Sequence, residues 1–374
     1  FYHRNEIHHI MALNGGDEAL AWKQLEAVLR NYRNHGQDMH WIRSEIDWKL
    51  LDLMRKVGMR TDVVAGGVKV WDWFNQKNNS VSNLEERAIA QAAYYDRKIG
   101  HHNIFITYAD EPVARWWLTN RWVFDAFSKY GFKPIIATRE DLFWKMKYAW
   151  GMHVASGDPG ETRAASDLWN ALGTGTHTAW YAGLHVGPEN PDFNRRQYGM
   201  AAYLGGYSAN CNYAHYFGPY CDDSNSYRPM VMAYGCGNGV LDTLQWEGYR
   251  EGIDDIRYAT EMCRLARAAA GSSSFEVSKL GRKALALLAG VKRESAPLDE
   301  LRAEMTRFIV ELRLQLGSGC PEPLYYPVND KYVEGPCGYE PEKRPDGFAP
   351  FRRETIEKKI SELPKTAVVQ SLDL

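Results

Sequence analysis

Short β-type runs alternate with longer helical patterns along most of this chain, and this alternation constrains the fold more than any other feature. Eight short β-type runs have strand length: 8–14, 39–44, 60–67, 103–109, 133–138, 152–156, 177–183 and 208–216. Segments between them, such as 17–36 and 84–100, repeat apolar residues at helical spacing and end at glycine. The pattern predicts βα units around a parallel sheet.

An eightfold alternation fits either a closed barrel or an open doubly wound sheet. No glycine-rich phosphate-binding motif follows the first predicted strand, which argues against the nucleotide-binding open sheet. A barrel of this kind usually takes about 250 residues, and the alternating region has that size. The sequence therefore predicts an α/β fold, a (β/α)8 TIM-type barrel over residues 1–262 with C-terminal helices and an extended tail.

The pattern changes after residue 256, where only helical spacing remains. Three apolar-periodic segments at 256–271, 274–290 and 298–317 predict helices, and residues 263–317 are expected to form a helical segment beside the barrel. Residues 318–374 are rich in Pro, Gly and Tyr and carry one short helical pattern at 352–364. We expect this tail to be an extended arm and a candidate contact for a homo-oligomer.

Charge and hydropathy exclude some partners. The 45 Lys and Arg residues balance 47 Asp and Glu residues, and no long basic run is present, so neither nucleic acid nor an anionic membrane surface is expected as a partner. No stretch approaches the roughly 18 apolar residues of a membrane span. The chain begins at Phe1 without a signal peptide, so we expect a processed product or fragment of an exported protein, periplasmic, cell-surface or extracellular.

The six cysteines are scattered and form no CxxC pair, which argues against a zinc site of that type. Cys320 and Cys337 lie in the Pro/Gly-rich tail, where a disulfide between them is a hypothesis. Adjacent histidines at 8 and 9 and at 101 and 102 point apart on a strand and have no further ligands at familiar spacing. Neither a metal nor any other cofactor is predicted.

The segment IFITYADEP, residues 104–112, ends a buried-looking strand on Asp110 and Glu111 and then on proline. The carboxyl ends of barrel strands form the rim where chemistry takes place, so these acids are the candidate catalytic residues. Successive strand residues face opposite sides, which gives the two carboxylates different environments and unlike pKa values. The structural alternative is that Asp110 caps the following helix and Glu111 faces solvent.

Three segments of the chain resemble the catalytic domain of glycoside hydrolase family 123, the β-N-acetylgalactosaminidase-type enzymes, and its relatives. They are IFITYADEP, TAWYAGLHVGPENP (178–191) and NGVLDTLQWEGYREGIDDIRYA (238–259), of which the last is the most specific. The similarity covers roughly residues 8–262 and does not reach the tail. It implies a (β/α)8 barrel and a retaining, substrate-assisted mechanism on a glycan or glycoconjugate, in which the sugar's own acetamido oxygen is the nucleophile.

The resemblance implies a separate role for each acid. Asp110 would accept a hydrogen bond from the acetamido N–H and stabilise the oxazolinium intermediate. Glu111 would protonate the leaving oxygen and then deprotonate the incoming water.

Aromatic residues are the other candidates for sugar binding, because flat apolar faces with a polar tip suit sugar rings, although packing is the alternative for each of them. Trp180 and Tyr181 match an aromatic-rich strand end of the family, as a sugar platform and a hydroxyl donor to the acetamido oxygen. Tyr213 falls near a family tryptophan. Weaker candidates are Trp71, Trp73 and Trp144 in loops, and Asp158, which binds sugar hydroxyls or begins a turn.

The sequence departs from the family pattern in two places. Gln245 stands where relatives usually carry Arg, and Asn210 and Asn212 occupy apolar positions of the eighth predicted strand, which suggests an altered pocket or a different sugar. The acidic run 247–255 is expected to open a helix whose acids pair with Arg250.

Two other functions stay open. One is a glycosidase for sugars without an acetamido group, with a second rim carboxylate as nucleophile. The other is a non-catalytic carbohydrate-binding or structural surface protein.

Overall fold

A parallel sheet of seven strands, surrounded by helices, organises the chain in a computed structural model. The structure describes residues 10–11, 14–42, 48–66, 81–110, 113–138, 150–154, 178–181, 190–207, 209–212, 215–217, 230–236, 239–293 and 295–317. The strands of the sheet are β1 (Trp41–Ile42), β2 (Val64–Gly66), β3 (Ile104–Asp110), β4 (Lys133–Thr138), β5 (Trp150–Val154), β6 (Thr178–Tyr181) and β7 (Ala209–Cys211).

The strands pair in chain order, β1-β2-β3-β4-β5-β6-β7, and every pairing is parallel. A doubly wound sheet would instead reverse its order at a switch point. Within the described residues, β1 and β7 are the two edges of this sheet and do not pair with each other. Two antiparallel pairs follow in the chain: β8 (Tyr216–Phe217) with β9 (Met230–Val231), and β10 (Ala233–Cys236) with β11 (Gly239–Asp242).

Helices fill most of the remaining described chain. They are α1 (Glu18–Asn34), α2 (Trp48–Lys56), α3 (Val81–Ile99), α4 (Ala114–Lys129), α5 (Pro191–Arg196), a π-helical turn (Gln197–Ala201), α6 (Ala202–Leu204), α7 (Leu244–Ala270), α8 (Phe275–Ala289) and α9 (Leu298–Leu316). The strongly periodic segments 17–36 and 84–100 are the helices α1 and α3, as predicted. Among the described residues, every helix is too short or too polar to cross a membrane.

The first predicted strand, 8–14, is wrong where the structure describes it. Residues 10 and 11 are helical, and Asn14 begins a turn. The carbonyl of Ile10 accepts hydrogen bonds from the backbone and side-chain nitrogens of Asn14, and the carbonyl of Met11 accepts one from Gly16. Because these local bonds use the groups that a strand would offer to a neighbour, the apolar run closes into a turn.

Alternate residues of the sheet belong to two separate apolar clusters. The larger cluster packs against the helices and contains Val64, Ile104, Ile106, Ile136 and Trp180. The smaller cluster contains Val63, Ala65, Phe105, Ile135 and Ala179. Because side chains alternate along a strand, the two clusters lie on opposite faces of the sheet, and both faces are buried, as is typical of parallel sheets.

Helix α7 is continuous across residue 262, where the sequence suggested a domain boundary, and the predicted division stays a prediction. Its second half packs with α8 and α9 in a third cluster built on residues such as Met262, Leu265, Leu288 and Met305.

Cys263, also in this cluster, is disulfide-bonded, whereas Cys211 is a free thiol. The bridge predicted between Cys320 and Cys337 lies outside the described residues.

The first half of α7 crosses the segment 191–201 at very short range. A Cβ atom on Gly252 would lie 2.6 Å from the carbonyl oxygen of Arg195, and one on Gly199 would lie 2.8 Å from the Cα of Gly252. Gly248 meets the backbone of Pro191 in the same way. The glycines of the run WEGYREG are therefore required by backbone-to-backbone packing.

The buried carboxylate of Asp255 joins three elements next to this crossing. Its oxygens accept hydrogen bonds from Arg195 Nε at 2.9 Å and from Arg302 Nε at 2.6 Å, and its side chain is 1% exposed. Arg250 pairs with Glu247, Glu251 and Asp254 on the surface of α7. The prediction that the acidic run 247–255 opens a helix and forms ion pairs is confirmed.

We predict that Gly252→Ala lowers the free energy of unfolding by about 1–3 kcal/mol, because the added methyl group forces two backbones apart. Urea unfolding of the two proteins measures the difference. Gly271→Ala is the matched control, since a Cβ there meets its nearest atom at 3.7 Å, an ordinary contact. Equal losses in the two variants would contradict the close crossing.

Asp255→Asn should cost about 3–5 kcal/mol, because it leaves the partly buried Arg195 and Arg302 without the buried carboxylate that they share. Asp299→Asn removes the other partner of Arg195, which lies at the surface with 86% of its side chain exposed, and should change stability little. Chemical denaturation checks both variants. A small effect at position 255 would show that the ion pairs do not hold the helices together.

Candidate functional site

The carboxyl end of β3 carries the first candidate catalytic residue. β3 ends at Asp110, and the pairing with β4 changes register just before it: Thr107 pairs with Ile135, but Asp110 pairs with Ala137. Three steps along β3 therefore correspond to two along β4, which is the count of a β-bulge. Bulges are frequent at barrel rims and beside active sites, where they redirect a strand end.

The register shift changes which residue of β4 pairs with Asp110. Ile135 belongs to the smaller apolar cluster, and Ala137 is two residues further along β4. Across the neighbouring strands, Ala137 pairs with Met152, and Met152 pairs with Ala179, which is another member of that cluster. Without the shift, residue 109 would pair with Ala137; the register shift gives that position to the backbone of Asp110 instead.

The second catalytic candidate, Glu111, lies outside the described residues, as do Trp71, Trp73, Trp144, Asp158 and Tyr213. The roles predicted for these six residues stay predictions. Helix α4 begins at Ala114, and its N-cap residue is Val113. Asp110 therefore does not occupy the N-cap position that the structural alternative gave it.

Tyr181 ends β6, where it pairs with Val154 of β5 and with Cys211 of β7. Its backbone lies two residues beyond Ala179 at the carboxyl end of the strand. The sheet therefore brings these two predicted residues to its carboxyl end.

Trp180 lies on the other face. Its side chain belongs to the larger apolar cluster, is 7% exposed, and packs against the ring of Tyr207 with centroids 5.1 Å apart. A ring with so little free surface offers no platform to a sugar, so its position favours the packing alternative. The aromatic run at 180–181 gave no sign of which ring faced the helices.

Two residues that depart from the family pattern, Asn210 and Gln245, make contacts within the protein. Asn210 donates from Nδ2 to the carbonyl of Tyr198 at 2.6 Å, which ties β7 to the π-helical turn. Gln245 is fully buried at the start of α7, and its backbone carbonyl accepts from Asn194 at 3.0 Å. The hydrogen bond of Asn210 gives this polar side chain a structural role that needs no ligand.

A second group of polar side chains lies between α1, β11 and α7. His35 follows α1 and is 3% exposed, and its Nε2 lies 3.5 Å from Glu247 Oε1 and 3.9 Å from Asp242 Oδ2. Possible ligand atoms of these three residues lie within 4.8 Å of one another. Sequence reasoning missed the group because His35 is about 200 positions from Asp242 and Glu247, and the three residues carry no spacing motif.

Buried histidines surround Tyr32 beside this group. The ring of His215 lies edge-on to Tyr32 at 4.6 Å and to Trp246 at 5.2 Å, and His40 lies 5.9 Å from Tyr32. Burial lowers the pKa of His40 to about 3, and it lowers the pKa of His215 well below its usual value. Both rings are therefore neutral at physiological pH.

Comparison with known protein families and with curated protein sequences finds no match. The resemblance to glycoside hydrolase family 123 therefore stays a prediction.

We predict that His40 makes the protein less stable as the pH falls. The folded state keeps the ring neutral down to about pH 3, whereas an unfolded histidine takes up a proton near pH 6.5, so stability is lost below that pH. The loss from this residue is up to about 1.4 kcal/mol per pH unit. Urea unfolding at several pH values between about 7 and 4 should give a shallower slope for His40→Leu.

Ile42→Val is the control for this comparison. It weakens the core close to His40 without removing a titrating group, so its pH slope should equal that of the unchanged protein. Equal slopes for His40→Leu and the unchanged protein would contradict a buried neutral histidine.

Proposed function

We propose that the protein is a retaining glycoside hydrolase acting on 2-acetamido sugars, β-N-acetylgalactosaminides above all, by a substrate-assisted mechanism. The observation that carries the proposal is the end of β3, where a register shift brings Asp110 to the carboxyl edge of a parallel sheet with Glu111 as the next residue. The carboxyl edge is where enzymes with parallel βα sheets bind their substrates.

The strand order supports the barrel part of the proposal. In a (β/α)8 barrel each new strand adds beside the previous one, and the seven described strands follow this order without reversal. A barrel also requires that both faces of its sheet be buried: the side chains of one face fill the interior, and helices cover the other face. In this arrangement the smaller apolar cluster, on Phe105, Ile135 and Ala179, is the interior.

Consecutive acids suit this chemistry better than a symmetric pair. The sugar's acetamido oxygen attacks the anomeric carbon, so the enzyme needs no carboxylate nucleophile. Asp110 accepts the hydrogen bond of the acetamido N–H and stabilises the positive charge that develops on the ring being formed. Glu111 gives its proton to the leaving oxygen and takes one from the water that opens the oxazolinium intermediate.

Tyr181 is the substrate-binding residue that the described strands support best. Its position at the end of β6, on the same carboxyl edge of the sheet as the end of β3, suits a hydroxyl that donates to the acetamido oxygen. Trp180 is not part of the proposed site.

The test compares hydrolysis of an aryl 2-acetamido-2-deoxy-β-galactoside and its β-glucoside counterpart with that of the aryl β-galactoside lacking the acetamido group. We expect turnover of the acetamido substrates only. Proton NMR of the product should show retained configuration, and a thiazoline analogue of the intermediate should inhibit.

Glu111→Gln should lower kcat by about 10²–10⁴-fold, and less for substrates with good leaving groups, because these need no protonation. Asp110→Asn should lower kcat on acetamido substrates whatever the leaving group. Glu86→Gln is the matched control, an exposed acid in the adjacent pair Glu85-Glu86 of α3, and should be fully active.

Full activity of Glu111→Gln would reject the assignment. Trapping of the enzyme by a fluorosugar, together with insensitivity to the thiazoline, would favour a glycosidase with a carboxylate nucleophile. A protein that self-associates and hydrolyses none of a panel of glycans would favour a non-catalytic surface protein.

A further inference from the structure

The group formed by His35, Asp242 and Glu247 has the composition of a metal site. Three segments supply it: the residue after α1, the last residue of β11, and the first turn of α7. One imidazole and two carboxylates are ligands typical of Zn²⁺ and related divalent transition metals.

The tautomer of His35 leaves one nitrogen for a ligand. Nδ1 lies 2.8 Å from the backbone carbonyl of Asn31, which can only accept, so Nδ1 carries a proton and donates it. Nε2 is buried and has no hydrogen-bond partner among the described residues. Metal-binding histidines usually hold their second nitrogen in this way, by donating to a carbonyl or carboxylate.

The separations favour a metal over a direct ion pair. Charge-assisted N–H···O bonds are about 2.7–2.9 Å long, whereas Nε2 lies 3.5 Å from the nearer carboxylate and 3.9 Å from the other. Two ligands of one tetrahedral Zn²⁺ ion lie roughly 3.4 Å apart, given metal–ligand bonds of about 2.0–2.2 Å. The distances from Nε2 to the two carboxylates are nearer to this separation between ligands than to the length of a direct hydrogen bond.

Each carboxylate is held through the oxygen that faces away from His35. Asp242 Oδ1 accepts from Asn31 Nδ2 at 2.6 Å, and Glu247 Oε2 accepts from Arg250 Nε at 2.8 Å. Asn31 therefore orients two of the three residues, His35 by its carbonyl and Asp242 by its amide. Such outer contacts orient the ligands of protein metal sites.

We propose that His35 Nε2, Asp242 and Glu247 bind one divalent transition-metal ion, with Zn²⁺ as the fitting probe. The two carboxylate side chains are 30% and 42% exposed, so the ion has access from solvent and water completes its coordination. The bound ion joins the C-terminal end of α1 to β11 and to the N-terminal turn of α7.

The helix ends act in opposite senses on the ion. The C-terminal end of α1, which His35 caps, carries partial negative charge and favours a cation, whereas the N-terminal end of α7 disfavours one. The two carboxylates supply full charges, which exceed the half charge of a helix end.

Titration of the chelator-treated full chain with Zn²⁺ tests the proposal by calorimetry and by thermal unfolding. We expect one ion per chain and a higher Tm in the presence of metal. The variants Glu247→Gln and Asp242→Asn keep side-chain size and should weaken binding at least tenfold, and His35→Phe, which keeps an aromatic ring against Trp246, should do the same.

Glu276→Gln is the matched control, an exposed acid in the first turn of α8, and should bind Zn²⁺ as the unchanged protein does. The imidazole ¹⁵N spectrum gives a second measurement that does not depend on variant folding, because the Nε2 resonance of His35 should move on metal addition. Absence of binding heat, an unchanged Nε2 resonance, or equal binding by Glu247→Gln and Glu276→Gln would overturn the proposal.

Discussion

The close crossing of α7 with the segment 191–201 is the constraint on which the rest of the described structure depends. Glycines at 199, 248 and 252 let the two backbones meet, and this approach brings Arg195 to Asp255. Arg302 reaches the same carboxylate from α9. One crossing therefore joins the core beside the sheet to the cluster under α8 and α9, and the buried charge at Asp255 is tolerable only because both arginines are held there.

The start of α7 fixes the position of α1 through Trp246. Its indole is fully buried, stacks on His35 and on Tyr249 at 4.5 and 4.8 Å, and donates to Asn31 Oδ1 at 2.6 Å. Asn31 is thereby immobilised from one side while its amide and carbonyl hold Asp242 and His35 on the other. The geometry of the proposed metal site thus follows from aromatic packing and hydrogen bonds among the protein's own residues.

Local patterns made the helices and most strands predictable. The 3.6-residue spacing located α1 and α3, and β-branched runs located strands at 103–109 and 133–138 to within a residue or so. The run 8–14 has the same apolar character but no alternation, and a local turn formed by Asn14 took precedence. Contacts such as those of Asp255 with Arg195, or of Asp242 with Asn31, join residues 60 and 211 positions apart, and no local pattern encodes them.

The two proposed sites involve different ends of strands of the sheet. His35 lies in the connection that enters β1, at the amino end of a strand, whereas Asp110 lies at a carboxyl end. In the βα barrel that we propose, the amino ends would contribute stability and the carboxyl ends would contribute chemistry. A substrate-assisted mechanism also needs no metal, because the attacking oxygen belongs to the sugar. A metal bound by His35 would therefore act on folding, by closing α1 onto α7, and the acids at 110 and 111 would work independently of it.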